Sequence, residues 1–199
     1  HPQIVLPQLG APGVNAFEVT RRTGFRVEYG PIRANDIPGF LKAGKATPEM
    51  RRVRFPLQDR IVLIPVELVS AILPALILTV IAFLAGGWAT AFAFVVAVLA
   101  GTALFPVLLP YLPTKDYSTK GMLLGFLVAL PFAAYQLVRH DPGQWQTYAS
   151  MLTFLLIMPP VVGYLALNFT GATPYPSRTG VRKEIFTYVP WMAGAFALG

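Results

Sequence analysis

The sequence predicts an α/β segment built on a parallel sheet, followed by an all-α polytopic membrane domain of about five transmembrane helices. Three observations carry this. The 199-residue chain is 55% hydrophobic and only 13% charged, with a mean hydropathy of +0.57, well above a soluble domain of ordinary composition. Its first 44 residues alternate strand-like and helix-like stretches punctuated by Gly and Pro. Beyond Asp59-Arg60-Ile61-Val62-Leu63-Ile64-Pro65-Val66-Glu67 the character changes. Apolar blocks of roughly 18 to 22 residues then recur, each long enough as helix to cross a hydrocarbon core of about 30 Å.

In the first segment, Ile4, Val5 and Leu6 form a short β-branched run ended by Pro7, and Gly10, Ala11, Pro12 and Gly13 supply turn chemistry. Val14, Phe17 and Val19 among Asn15, Glu18, Arg21 and Arg22 predict a short amphipathic helix stopped by Gly24. A second strand alternates Phe25, Val27 and Tyr29 against Arg26 and Glu28 and ends at Gly30-Pro31. Asn35 or Asp36 is placed to cap another short helix running to Leu41, with Gly44 beyond its end. This order predicts a parallel α/β sheet, which binds ligands at the carboxyl ends of its strands. Gly10, Ala11, Pro12, Gly13, Gly30 and Pro31 sit at those ends. They either only turn the chain or also present backbone N–H groups to an anionic ligand. About 44 residues fall below the size of a self-sufficient domain, so most of the sheet is expected upstream of His1.

Residues 45–60 read as a basic juxtamembrane linker, with Arg51, Arg52, Arg54 and Arg60 interleaved with Val53, Phe55 and Leu57. Either it is a solvated connector or it touches lipid specifically. Ten Lys/Arg face five Asp/Glu before Ile61, within a net charge of +7 for the chain. Basic charge beside membrane segments points to anionic membrane lipid, not nucleic acid.

The transmembrane domain is expected over residues 61–199, with spans at about 64–86, 88–110, 121–138, 147–167 and a shortened one at 185–199. Gly86-Gly87 leaves so little chain between the first two that they form an antiparallel hairpin. Lys115, Lys120, Arg178, Arg182 and Lys183 fall in loops on one side and Arg139 alone on the other. Positive-inside counting therefore puts the N-terminal part in the cytoplasm, beneath an inner membrane crossed several times. Pro74, Pro106, Pro110, Pro131, Pro159, Pro160 and Pro190 predict kinks. Trp88, Tyr111, Tyr117, Trp145, Tyr148, Tyr175, Tyr188 and Trp191 are expected as interface anchors. The span centres are nearly free of ionisable groups, and Glu67 is placed at the cytoplasmic interface, which argues against an ion pathway. Residues 170–184 read as a loop, either a docking surface or a connector. Asn168-Phe169-Thr170 matches a glycosylation sequon but falls on the cytoplasmic side.

The chain has no cysteine, and His1 and His140 are its two histidines. Disulfide frameworks and thiolate metal sites are excluded within it. It starts without Met and stops inside an apolar run, so it is expected to be the C-terminal part of something longer.

Several segments together form a long ordered pattern: Ile4-Val5-Leu6-Pro7-Gln8-Leu9-Gly10-Ala11-Pro12-Gly13-Val14, then Gly24-Phe25 and Tyr29-Gly30-Pro31-Ile32-Arg33-Ala34, then Asp36-Ile37-Pro38, Ala46-Thr47-Pro48 and Pro65-Val66-Glu67-Leu68. The pattern resembles the mercury-methylating corrinoid proteins of the HgcA family and, more distantly, the large subunit of the corrinoid iron–sulfur protein of the acetyl-CoA pathway. The resemblance implies a Rossmann-like cytoplasmic domain that binds a corrinoid (cobalamin), with residues 1–44 its C-terminal part, followed by a five-span membrane domain. It implies transfer of a methyl group to inorganic Hg(II), with a ferredoxin-like partner whose 4Fe–4S clusters re-reduce the cobalt. Family members supply the lower cobalt ligand from a cysteine in an Asn-(Val/Ile)-Trp-Cys-Ala cap helix. This chain has no such motif, so the ligand is expected upstream and no catalytic residue is carried onto this sequence. Gly10 to Gly13 and Gly30-Pro31 are the expected cofactor contacts.

Two other functions fit the same residues. One is a corrinoid methyl carrier of the acetyl-CoA type. The other is a non-enzymatic multi-pass transporter, which the prolines favour and the missing intramembrane charges oppose. The thioethers of Met122, Met151, Met158 and Met192 are soft enough for mercury, but methionine in a span usually packs.

Overall fold

The computed structural model describes residues 2–141, 143–173 and 177–199. The expectations placed on His1 and Tyr175 lie outside them. The chain divides into two compact units, His1–Phe55 and Pro56–Gly199.

In the first unit, β1 (Gln3–Leu6) and β2 (Arg26–Tyr29) pair in parallel, with Gln3 opposite Arg26 and Leu6 opposite Tyr29. Parallel strands need a crossover, and α1 (Ala16–Thr23) supplies it. The Asn15 side chain accepts the Glu18 N–H at 3.1 Å to start this helix, and Gly24, at φ +74°, ends it in the left-handed region. Gln8–Gly13, expected as a plain turn, winds as a 3-10 helix. α2 (Ile37–Ala43) begins with Pro38 in its first turn and ends at Gly44, φ +67°. Asp36 precedes it without using its side chain as a cap. Residues 45–55 fold back on the strand-end loop: the Ile32 N–H donates to the Met50 carbonyl at 3.0 Å and the Arg33 guanidinium to the Arg54 carbonyl at 3.1 Å.

In the second unit, α3 (Leu57–Ile61) leads into the long helix α4 (Ile64–Leu99), interrupted at Gly87 by φ +73°, ψ −161°. Only glycine takes that conformation readily. The expected hairpin is present. The Arg60 guanidinium reaches the carbonyls of Pro106 and Val107 at 2.9 and 2.8 Å, whereas an unbroken helix over the same stretch would hold these groups about 70 Å apart. The second arm passes through a π-helical stretch, Ala100–Leu104, into α5 (Phe105–Leu108). Pro106 explains this: it has no N–H for the preceding turn, and its ring displaces the carbonyl four residues back.

α6 (Tyr117–Arg139) and α7 (Trp145–Asn168) form the core with α8 (Arg178–Leu198) packed on α7. Gly121, Gly125, Ala129 and Ala133 recur every fourth residue on the buried face of α6. A Cβ on Gly125 would stand 2.7 Å from the Cα of Pro159, so the two backbones approach as only small residues permit. Met158 and Met192 are buried in this packing, and Met122 and Met192 both abut Gly163.

Among the described residues, three helices are long and apolar enough to cross a bilayer: the hairpin region Leu57–Leu108, Tyr117–Arg139 and Trp145–Gly171. The hairpin turns Val69, Leu73, Leu76 and Leu84 outward. A continuous apolar surface of this kind marks a membrane protein. Length and hydropathy thus account for three such helices of the five expected spans: the first two expected spans fall within the one hairpin region, and α8 carries Arg182, Lys183 and Glu184 in its first turns.

Candidate functional site

The parallel register brings the two expected contact segments to one edge of the sheet, because each follows a carboxyl strand end. Tyr29 ties them together by donating its hydroxyl to the Val14 carbonyl at 3.0 Å. Their environments differ. Gly10 and Gly13 border open space: a Cβ on Gly13 would meet nothing within 4 Å, and one on Gly10 only Pro7 at 3.8 Å. Gly30 and Pro31 are buried. A Cβ on Gly30 would lie 2.9 Å from Val5 and 3.7 Å from the Phe40 ring, so this glycine permits core packing. The amides are partly committed too. Gly10 donates to the Pro7 carbonyl and Gly30 to the Leu6 carbonyl, at 2.9 and 2.8 Å, while Pro12 and Pro31 have no N–H. A ligand at this edge therefore meets the side occupied by Gly10 to Gly13, and the Gly30-Pro31 side supports it from beneath.

The second concentration of polar groups lies in the helical unit, and reading from sequence missed most of it. Arg60, assigned from sequence to the basic linker, is buried, and its contacts with Pro106 and Val107 satisfy carbonyls at the end of α5. The Lys120 ammonium donates to the Leu109 carbonyl at 2.9 Å, completing this cationic cap. Glu184, expected in a loop, lies in α8 with its carboxylate buried. It accepts the backbone N–H and the hydroxyl of Ser118, both at 2.9 Å, in the first turn of α6. The Tyr188 hydroxyl donates to the Asp116 carboxylate at 2.8 Å. Tyr117 is buried, its ring 6.0 Å from that of Phe105 and its hydroxyl 3.2 Å from that of Thr173. Tyr117 and Tyr188 thus join this polar end, whereas Trp88, Tyr111, Trp145, Tyr148 and Trp191 are exposed. One local signal for the α8 start was available: Ser177, whose hydroxyl accepts the Gly180 N–H at 3.1 Å, is a regular N-cap.

Each charge named at this end is spent on a helix terminus or a neighbouring hydroxyl, which suits anchoring of helix ends and leaves no string of carboxylates through the bundle. Among the described residues, no group of three or more His, Cys, Asp or Glu is placed to hold a metal ion. Comparison with known proteins returned no match to a family model, a characterised protein or a solved structure.

Proposed function

We propose that the chain is the membrane-anchoring part of a corrinoid-dependent methyltransferase that passes a methyl group to inorganic Hg(II). The reading rests on the resemblance of residues 4–68, and the observation that supports it is the shared sheet edge. The two glycine-containing segments carrying that resemblance stand side by side at carboxyl strand ends, with Gly10 and Gly13 open. In this reading the 10–13 segment lies against the corrinoid's nucleotide tail, and Val5, Gly30 and Phe40 hold the segment's floor. The corrinoid supplies the organometallic chemistry, namely a transferable methyl group on cobalt. In this reading the further strands that a two-stranded sheet needs to bury its faces, and the cobalt-ligating cysteine that the resemblance implies, are not among these 199 residues.

We further propose that the two hairpin arms, α6, α7 and α8 each cross the inner membrane, with the first unit in the cytoplasm facing a ferredoxin-like partner. The commitment of Arg60, Lys120 and Glu184 to helix ends weighs against the transporter reading. The test is reconstitution of the full-length protein with cobalamin, followed by addition of a methyl donor and Hg(II). A change in corrinoid absorbance on binding and formation of methylmercury are expected. Binding with methyl exchange only to a folate or pterin donor would replace this reading with that of a methyl carrier.

A further inference from the structure

Between the first arm of α4 and helices α7 and α8 runs a groove of about 530 Å³, within the range of small-molecule sites. Its polar groups gather at one end. Glu67 and Ser70 stand in the first turns of α4, and Tyr164 and Asn168 in the last turn of the antiparallel α7. Glu67 is half-buried, its carboxylate has no partner among the described residues, and it is the one charged side chain lining the groove. The Ser70 hydroxyl is already engaged with the Glu67 carbonyl at 2.8 Å. Tyr164 and Asn168 are both exposed, leaving a hydroxyl and an amide free to donate. The rest of the wall is apolar, with Pro74 and Leu78 facing Phe94, Leu165 and Phe196. From Glu67 to Leu78 the trough runs about 16 Å, close to the roughly 15 Å depth of one leaflet's hydrocarbon.

We propose that this groove is a lipid site for a phospholipid with a primary-amine headgroup, phosphatidylethanolamine by class. Its ammonium pairs with Glu67, its phosphate or ester oxygens accept from Tyr164 and Asn168, and one acyl chain fills the trough. An unpaired carboxylate at the rim of an apolar surface selects a cation that can donate hydrogen bonds. A quaternary choline head lacks the N–H donors, and an anionic glycerol head has the wrong charge. The inference is independent of the methyl-transfer reading.

The test is to delipidate the full-length protein, reconstitute it with equimolar phosphatidylethanolamine, phosphatidylcholine and phosphatidylglycerol, and measure the lipid retained by native mass spectrometry. The expected result is an enrichment of the ethanolamine lipid by about fivefold over each of the others, the scale of one partly exposed ion pair. Glu67→Gln should bring the three classes near parity, and Ala75→Leu, which narrows the trough, should lower retention of all three. Equal retention by the wild-type protein, enrichment of the glycerol lipid, or an unchanged preference in Glu67→Gln would overturn the assignment. The wild-type comparison needs no substitution and stands if a variant misfolds.

Discussion

The buried carboxylate of Glu184 takes two hydrogen bonds from Ser118, one from its backbone N–H and one from its hydroxyl, each 2.9 Å long and spanning 66 residues of sequence. The first turn of α6 has unpaired N–H groups like any helix start, and here a side chain from α8 satisfies one of them. Negative charge at this terminus is also favoured by the helix dipole.

Glu184→Ala should therefore leave the Ser118 amide unpaired within the bundle and cost about 2–3 kcal/mol. Glu184→Gln, which keeps an acceptor of similar reach, should cost about half as much. Reversible unfolding in mixed micelles checks both. A loss in the alanine variant no larger than that of an exposed substitution would remove the capping role.

The hairpin is held at its turn and at its open end. Gly87→Ala puts a Cβ where φ is +73° and ψ −161°, with an expected cost of about 1–3 kcal/mol. Arg60→Met frees the Pro106 and Val107 carbonyls and should cost about 2–3 kcal/mol. Arg60→Lys should recover part of that. Cysteines introduced at positions 61 and 107 of this cysteine-free chain report arm closure directly: cross-linking should fall in Arg60→Met and persist in Arg60→Lys.

The α6–α7 contact is set by backbone proximity. Gly125→Val should force the helices apart, since even its Cβ would sit 2.7 Å from Pro159 Cα and 2.9 Å from the Met158 carbonyl oxygen. The expected loss is about 2–4 kcal/mol. Gly194→Ala is the control, because a Cβ there meets nothing within 4 Å. Thermal denaturation of the two variants side by side should separate them clearly.

The sheet edge yields a functional contrast. Gly13→Leu projects into open space, so the full-length variant should fold normally yet bind cobalamin about tenfold more weakly, near 1.4 kcal/mol. Gly30→Val drives methyl groups into Val5 and Phe40 and should lower stability first, with binding lost only as folding is lost. Absorbance titration alongside circular dichroism distinguishes the two outcomes. Unchanged cobalamin affinity in Gly13→Leu would separate this loop from the corrinoid.

Much of the local structure was legible in the residues. Gly24 and Gly44 stop helices where they were expected to, and the alternation around Val27 marked β2. Gly86-Gly87 announced the hairpin. The small residues at positions 121, 125, 129 and 133 were equally visible, but a period of four says only that a face is small and not which helix covers it. The π-helical stretch before Pro106 was hidden because proline signals a disturbed ladder without specifying its repair. The loop assigned to residues 170–184 failed in its second half because its Gly, Pro, Ser and Thr content suggested a connector, whereas α8 begins at Arg178 and Glu184 points into the bundle.

The sequence by itself determined the change from strand-and-helix patterning to apolar helices, the turn at Gly87 and the glycines that end α1 and α2. These follow from short-range sterics and from transfer of apolar side chains out of water, which depend on neighbouring residues alone. The tertiary structure decided what Arg60, Lys120, Glu184, Tyr117 and Tyr188 do, and that Gly30 is core while Gly13 is open. Their roles follow from partners 11 to 72 residues away. A helix end buried among other helices must find its missing hydrogen-bond partners wherever the fold delivers them.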